Sequence, residues 1–202
     1  MIVNFKIIVF GLSCVLLSLS VNAQEWETAK SEDGVKAYTY TRESGIKSVK
    51  VETTIEASIE KVYNFITDYD NPKEWKHSTR SSKIVDRTSP NEFKVYFVIA
   101  TPWPLKDRDF YADVSVSFTE GKDRCEIIFI PDTEQESHGS KIRMTNFDTR
   151  WVLTEEPEGK IKVELYSYGD PVGVPISFVN MFIVDTPFKT VQNLKRDITT
   201  YQ

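Results

Sequence analysis

Apolar and polar side chains alternate with a period of two over most of the chain. The alternation is clearest over residues 110–119, where Phe110, Ala112, Val114, Val116 and Phe118 share one face. Such spacing is typical of a strand with one face buried and the other in water. The same period predicts further strands over residues 34–41, 47–57, 82–88, 92–100, 124–130, 142–155 and 161–165.

Two segments have helical spacing instead. Ser58 stands where a helix N-cap is expected, and apolar residues follow at three- and four-residue steps until Pro72 ends the helix. A second, longer helix is predicted over residues 175–198. Pro187 lies inside it, so this helix either kinks there or ends, with Thr186 capping a new helix.

The order of these elements predicts an α+β fold. Two strands are followed by a helix, about six antiparallel strands and a long C-terminal helix. An antiparallel sheet with one apolar face needs a cover, and the last helix is the long element left to provide it. Residues 24–202 show neither repeats nor linkers, so they are predicted to form one domain.

Residues 1–23 have the pattern of a cleaved secretory signal peptide. Lys6 precedes an apolar run over residues 7–19, and small residues stand just before and at Ala23. A membrane anchor is the alternative, but the run is shorter than the ~20 residues of a membrane-spanning helix. We therefore predict export to the periplasm of a Gram-negative cell.

Charge and cysteine content narrow the class of protein. The chain has a net charge of −5 and no block of basic residues, which argues against binding to nucleic acid. Cys125 is the single cysteine after residue 23, so the domain cannot contain an internal disulfide and depends on its core.

Several short segments are similar to a known family. They are PWPLKDRDF (102–110), WVL (151–153), DPVGVPISFVN (170–180) and DTPFKT (185–190), in this order and on these elements. From about Trp26 to its C-terminus the chain resembles a START domain, the lipid-transfer module with a helix-grip fold. The resemblance implies a curved antiparallel sheet wrapped around the C-terminal helix, with a tunnel that binds one lipid or other apolar molecule without chemistry.

The segment at 102–110 contains two candidate site residues. Trp103 stands between two prolines, which hold it over the cavity mouth or against a membrane; alternatively, it packs the loop onto the core. Alternation from Phe110 places Arg108 inward and the flanking Asp107 and Asp109 outward. A buried arginine needs a partner, so Arg108 is predicted to meet a ligand head group or an internal carboxylate. The alternative is a solvated strand start.

The full set of candidate ligand-binding residues combines apolar and aromatic side chains with one cation. The set is Trp75, Phe97, Ile99, Trp103, Arg108, Phe110, Val114, Trp151, Leu165, Val179 and Ile183. The loop at residues 170–175 is either a lid for ligand entry or an ordinary helix-start loop. The start of the last helix is apolar nearly all round, which favours a gate, a membrane contact or a dimer contact.

The chain lacks the common motifs of hydrolases, nucleotide-binding proteins and metalloproteases. His77 and His138 are too far apart in the pattern to suggest a metal pair, and no cofactor is predicted. The first hypothesis is a lipid-binding or lipid-carrying protein with transient membrane contact. The second is an aromatase/cyclase-like enzyme on the same fold, with proton transfer by Arg108, Tyr166 or Asp170. The third is an interaction domain with a filled core. The oligomeric state is left open.

Overall fold

The computed structural model describes residues 25–69, 75–135 and 139–201. The predicted signal peptide and His138 lie outside these ranges. Within them the chain forms ten strands, three α-helices and a single 3-10 turn at Pro157–Gly159. The strands are β1 (Glu27–Glu32), β2 (Val35–Thr41), β3 (Lys47–Glu56), β4 (Thr79–Ser89), β5 (Glu92–Ile99), β6 (Arg108–Phe118), β7 (Arg124–Asp132), β8 (Ile142–Arg143), β9 (Phe147–Glu156) and β10 (Lys160–Gly169). The helices are α1 (Ile59–Thr67), α2 (Ile176–Phe182) and α3 (Asp185–Asp197).

All ten strands belong to one sheet in the order β1-β2-β3-β10-β9-β7-β6-β5-β4, and β8 pairs with β6. Every neighbouring pair along this order is antiparallel, whereas β8 runs parallel to β6. The pairing of β4 with β5 shifts register at three places, and such irregularities bend a sheet. The sheet is curved around the C-terminal helix, so the predicted α+β helix-grip fold is confirmed.

Each predicted strand is present, with ends that differ by a few residues, but the sequence pattern missed two features. Strand β1, of sequence ETAKSE, has polar side chains on both faces and is mostly exposed at the sheet edge. It therefore gives no alternation signal. The predicted strand over residues 142–155 is divided into β8 and β9, because the chain changes partner from the start of β6 to β7 and β10.

Helix α1 begins as the sequence predicts. The Ser58 hydroxyl oxygen accepts a hydrogen bond from the backbone N–H of Lys61 at 3.2 Å, which satisfies one of the free donors of the first turn. The helix packs against β7 and β9. Its buried face consists of Ile59, Val62, Phe65 and Ile66.

The C-terminal helical segment is broken between Phe182 and Asp185. Pro187 is the third residue of α3, where its missing N–H has no helical partner to lose. The predicted capping role of Thr186 is wrong, because α3 already begins at Asp185 and the Thr186 hydroxyl is paired with that of Ser78 at 3.3 Å. Helix α3 packs against β2, β3 and β10.

The two helices pack on different cores. The main core includes Phe188, Val191 and Leu194 of α3 together with α1 and most inward-facing strand residues. Helix α2 belongs to a separate small cluster formed by Val179, Ile46 and Tyr168. Ile183 packs against both clusters and so lies between them.

Candidate functional site

A cavity lies between the inner face of the sheet and the segment formed by α2 and α3. It has an outer chamber of about 480 Å³ and an inner chamber of about 140 Å³. The two chambers adjoin, since eight residues line both of them, namely His77, Ile99, Phe110, Phe147, Thr149, Ser167, Thr186 and Pro187. A larger groove of about 620 Å³ runs along α1, but polar and charged residues such as Glu60, Lys61 and Asp68 line it. That groove does not suit an apolar ligand.

Aromatic and aliphatic side chains dominate the lining of the cavity. Phe97 and Phe110 of adjacent strands stack with ring centroids 5.0 Å apart, and Phe110 also contacts Phe147 at 4.6 Å. The predicted ligand-binding residues that line one or both chambers are Phe97, Ile99, Arg108, Phe110, Trp151, Leu165, Val179 and Ile183.

Three predicted site residues are placed elsewhere. Trp75 is buried between Phe65 and Trp151, with ring centroids 4.8 Å and 6.2 Å away. Val114 is buried in the main core. Trp103 is 92% exposed, so the alternative that it packs the loop onto the core is wrong.

Arg108 is buried, as the alternation predicts, and only 2% of its surface is exposed. Its Nε donates to the carbonyl of Pro171 at 3.0 Å, its Nη2 to that of Val172 at 3.3 Å, and its Nη1 to that of Lys106. These partners are backbone carbonyls rather than the expected carboxylate. Arg108 thereby ties the loop before α2 to the start of β6. A contact with a ligand head group stays a prediction.

Asp109 lies on the outer face of β6, as alternation predicts, but it is not solvated there. Its carboxylate is fully buried and accepts from Arg143, with Nε–Oδ1 at 3.0 Å and Nη2–Oδ2 at 3.1 Å, and from the Tyr96 hydroxyl at 3.0 Å. Strand β8 brings Arg143 beside Asp109, so the outer face is covered at this point as well. Asp107, by contrast, pairs with Arg80 at the surface.

The family model of the START domain matches residues 14–194. The chain belongs to the START domain family. The resemblance noted in its motifs is confirmed by this match, which extends over most of the sequence.

Individual proteins are similar to this chain in sequence or in fold. An uncharacterised protein of Pseudomonas aeruginosa is 26% identical to this START domain over 175 residues, which is 86% of each chain. A STAR-related lipid transfer protein fragment from Xanthomonas axonopodis superposes with a TM-score of 0.78 at 20% identity, covering 86% of this chain and 98% of the fragment. Human StAR-related lipid transfer protein 5 superposes with a TM-score of 0.71 at 15% identity, covering 87% of each chain.

Exposed apolar side chains lie on α2 and on the loop before it, two segments that contribute residues to the lining of the outer chamber. We call Val172, Ile176, Phe178, Met181 and Phe182 the apolar rim; each is at least 40% exposed. Phe178 and Phe182 also line the outer chamber, with ring centroids 5.0 Å apart. Trp103 belongs to the loop whose Pro102 and Leu105 line the same chamber.

Lys76 and Tyr69 line the inner chamber and are missing from the sequence-based set of site residues. Both flank the end of the first predicted helix, where the sequence pattern is irregular. In the sequence Lys76 directly follows Trp75, which is itself a predicted site residue, and this neighbour is the sequence feature that indicates a place near the cavity.

The residues named for the enzyme hypothesis are not brought together. Tyr166 lies on the outer face of β10, where it contacts Trp26 and Arg150. Asp170 accepts a hydrogen bond from the N–H of Val172 at 2.9 Å and so shapes the loop. The Arg108 guanidinium donates hydrogen bonds to three backbone carbonyls.

The described ranges give little support to a metal site, a reactive thiol or a membrane-spanning helix. No three His, Cys, Asp or Glu side chains cluster there as metal ligands would. Burial raises the pKa of the Cys125 thiol to about 12, so it remains protonated and unreactive at neutral pH. No helix in the described ranges has the length and apolar character that spanning a membrane requires.

Proposed function

We propose that this START domain binds a lipid or another hydrophobic small molecule in the cavity beneath α2 and α3, without catalysis. The observation that carries the proposal is the unfilled apolar space of about 480 Å³, continued inward by about 140 Å³. Two structurally similar proteins, from Xanthomonas axonopodis and human, are named as lipid transfer proteins.

The energetics of burial support this function. A chain of about 14 methylenes gains roughly 11 kcal/mol on leaving water, at ~0.8 kcal/mol each. Ordering of the ligand and of the protein reduces the net value. Shape and apolar lining are therefore sufficient to hold a lipid, and catalytic groups are not required.

Transfer between membranes is the fuller form of this proposal. The apolar rim lies on the segments that cover the outer chamber, and Trp103 is exposed on a loop that also contributes to its lining. Exposed apolar groups of this kind mark membrane or protein contacts. Residues 1–23 read as a signal peptide, so we propose that the domain carries its ligand outside the cytoplasm.

The test is to identify what travels with the protein. Gently purified protein should show one hydrophobic molecule per chain in native mass spectrometry, and organic extraction should release it. Ser167→Phe should strongly reduce the amount of bound molecule, because Ser167 lines both chambers and a phenyl ring there occupies space that the ligand needs. We expect bound ligand to fall to about a tenth, with stability nearly unchanged because the ring enters open space.

Ser115→Phe is the matched control. Ser115 is exposed on the outer face of β6, so this variant should retain the ligand. A protein that is empty after gentle purification and binds no added lipid, or a Ser167→Phe variant that binds as well as wild type, contradicts the proposal.

A further inference from the structure

The inner chamber contains a lysine that has no hydrogen-bonding partner among the described residues. The Lys76 ammonium nitrogen is buried and no group in residues 25–69, 75–135 and 139–201 accepts a hydrogen bond from it, so the residue's remaining exposure belongs to its other atoms. The nitrogen lies 3.6 Å from the ring centroid of Tyr69, 5.1 Å from that of Phe97 and 5.2 Å from that of Trp75. These aromatic faces stabilise a cation only in part.

Two further buried polar atoms, on residues whose rings lie near the Lys76 ammonium, also lack partners within the part of the chain that the structure describes. They are the hydroxyl of Tyr69 and the indole Nε1 of Trp75. Lysine and tryptophan can only donate hydrogen bonds, and a tyrosine hydroxyl can donate or accept. Native structures leave few buried polar groups unsatisfied, so three neighbouring groups with free donors require an explanation.

The surroundings give Lys76 little compensation. Burial holds the pKa of its ammonium well below the usual value, and the charge of Asp68 offsets only part of this lowering, without a hydrogen bond between the two. Charged groups are rarely buried without a partner because desolvation is so unfavourable. A lysine kept there is therefore poised to receive an acceptor from outside the protein.

We propose that the ligand carries a carboxylate, which enters the cavity first and binds between the Lys76 ammonium and the Tyr69 hydroxyl. A carboxylate supplies acceptors only, so it matches the free donors, and hydrogen bonds between ionised groups are the strongest kind. Both residues line the inner chamber, which shares lining residues with the apolar outer chamber. The hydrocarbon part of a fatty-acid-like ligand then lies against the phenylalanines.

The proposal rests on the proposed lipid-binding function, and a pair of probes separates the two. Palmitate and hexadecanol share a hydrocarbon chain and differ in their head group. Delipidated wild type should bind palmitate at least about tenfold more tightly than hexadecanol, as expected for charge-assisted hydrogen bonds. Lys76→Met should reduce this preference to less than about threefold by weakening palmitate binding and leaving hexadecanol binding unchanged.

Two further variants make the test specific. Tyr69→Phe should weaken palmitate binding about threefold or more, since it removes one hydroxyl and keeps the ring. Lys83→Met is the matched control, because Lys83 is exposed and its ammonium lies 5.9 Å from the Tyr96 ring centroid. It should not change either affinity.

Ligand-free stability provides a second measurement. Lys76→Met should have a higher Tm than wild type without ligand, because it removes a buried polar group that has no partner. Palmitate should raise the Tm of wild type by more than that of the variant. A Tm of the empty variant below that of wild type contradicts the proposal.

The outcomes distinguish this proposal from the proposed function. Equal palmitate affinity in wild type and Lys76→Met, with hexadecanol bound by both, overturns the carboxylate site and leaves lipid binding intact. The same conclusion follows if wild type binds hexadecanol as tightly as palmitate or more tightly. Failure of delipidated wild type to bind either probe overturns the carboxylate site together with the binding of simple lipids.

Discussion

Arg143 and Asp109 form an ion pair that is almost removed from water. Their side chains are 9% and 0% exposed, and two guanidinium nitrogens contact the two carboxylate oxygens. We expect Arg143→Met to lower the free energy of unfolding by about 3 kcal/mol, because it leaves a buried carboxylate without its counter-charge. Urea unfolding at neutral pH measures this change.

Lys160→Met is the control for Arg143→Met. Lys160 pairs with Glu158 at the surface, where the two side chains are 37% and 78% exposed. Such pairs are screened by water and contribute little. Equal destabilisation by the two variants would show that the buried pair has no special contribution to stability.

Individual residues show the limit of pattern analysis. Strict alternation correctly places Arg108 inward, but it also places Asp109 outward. The partner of Asp109 is 34 residues away in sequence, and only the pairing of β8 with β6 brings it there. A local pattern reports which side of a strand a residue is on and does not report what covers that side.

At the scale of elements, helix α2 is attached to the rest of the molecule by few contacts. The Asn180 side-chain oxygen accepts from the N–H of Lys47 at 2.9 Å, and its amide donates to the carbonyl of Gly45 at 2.8 Å. Only Val179 of this helix is buried. We expect this helix to move as the gate of the cavity, because it is held to the β2–β3 turn by the Asn180 side chain, while Arg108 holds only the loop that precedes it.

We expect Asn180→Ala to loosen this helix. Hydrogen exchange over residues 176–182 should become about tenfold faster, since two hydrogen bonds at ~0.5–1.5 kcal/mol each are lost. Ligand release should accelerate as well, while the Tm changes little because the main core is untouched. Mass spectrometry of exchanged peptides and a ligand-release assay measure both effects.

Asn193→Ala is the control for the gate. Asn193 belongs to α3 and donates to the carbonyl of Trp75 at 3.0 Å, so its loss should leave exchange in α2 unchanged. Faster exchange in α2 in both variants, or in neither, contradicts the assignment of Asn180 as the side chain that holds α2.

The sequence predicted most elements but not their separation into two cores. Alternation and the cap at Ser58 depend on neighbours in sequence, and both are confirmed. The break between α2 and α3 was predicted at Pro187, and this position was wrong, because a proline is tolerated inside the first turn of a helix. Only the contacts of Val179 with Ile46 and Tyr168 show that α2 stands apart from the main core.

For the whole molecule, the uneven distribution of exposed apolar groups is the observation behind the proposed membrane contact. Trp103 is 92% and Met181 68% exposed, on the loop and the helix beside the cavity mouth. We expect the double variant Trp103→Ala/Met181→Ala to bind about tenfold less to vesicles of phosphatidylethanolamine and phosphatidylglycerol, because two apolar side chains no longer enter the bilayer. Vesicle sedimentation measures this, with an unchanged Tm.

Ile130→Ala is the matched control for the vesicle experiment. Ile130 is 55% exposed on strand β7 and does not line the cavity. Its loss should leave vesicle binding at the wild-type level. An equal reduction in both proteins would point to general hydrophobicity, and no reduction in either would argue against membrane contact through this side of the molecule.

The sequence by itself determined the fold and the family of this protein. Alternating side chains, a helix cap and a few ordered motifs are local features, and they specify which surfaces are apolar. Tertiary structure alone decided that two of these surfaces stand apart and enclose a cavity. It also placed Lys76 and Tyr69 at the inner end of that cavity and Asp109 beside Arg143. The reason is physical: periodicity fixes the direction of a side chain, whereas packing between distant segments fixes the space and the partners that it meets.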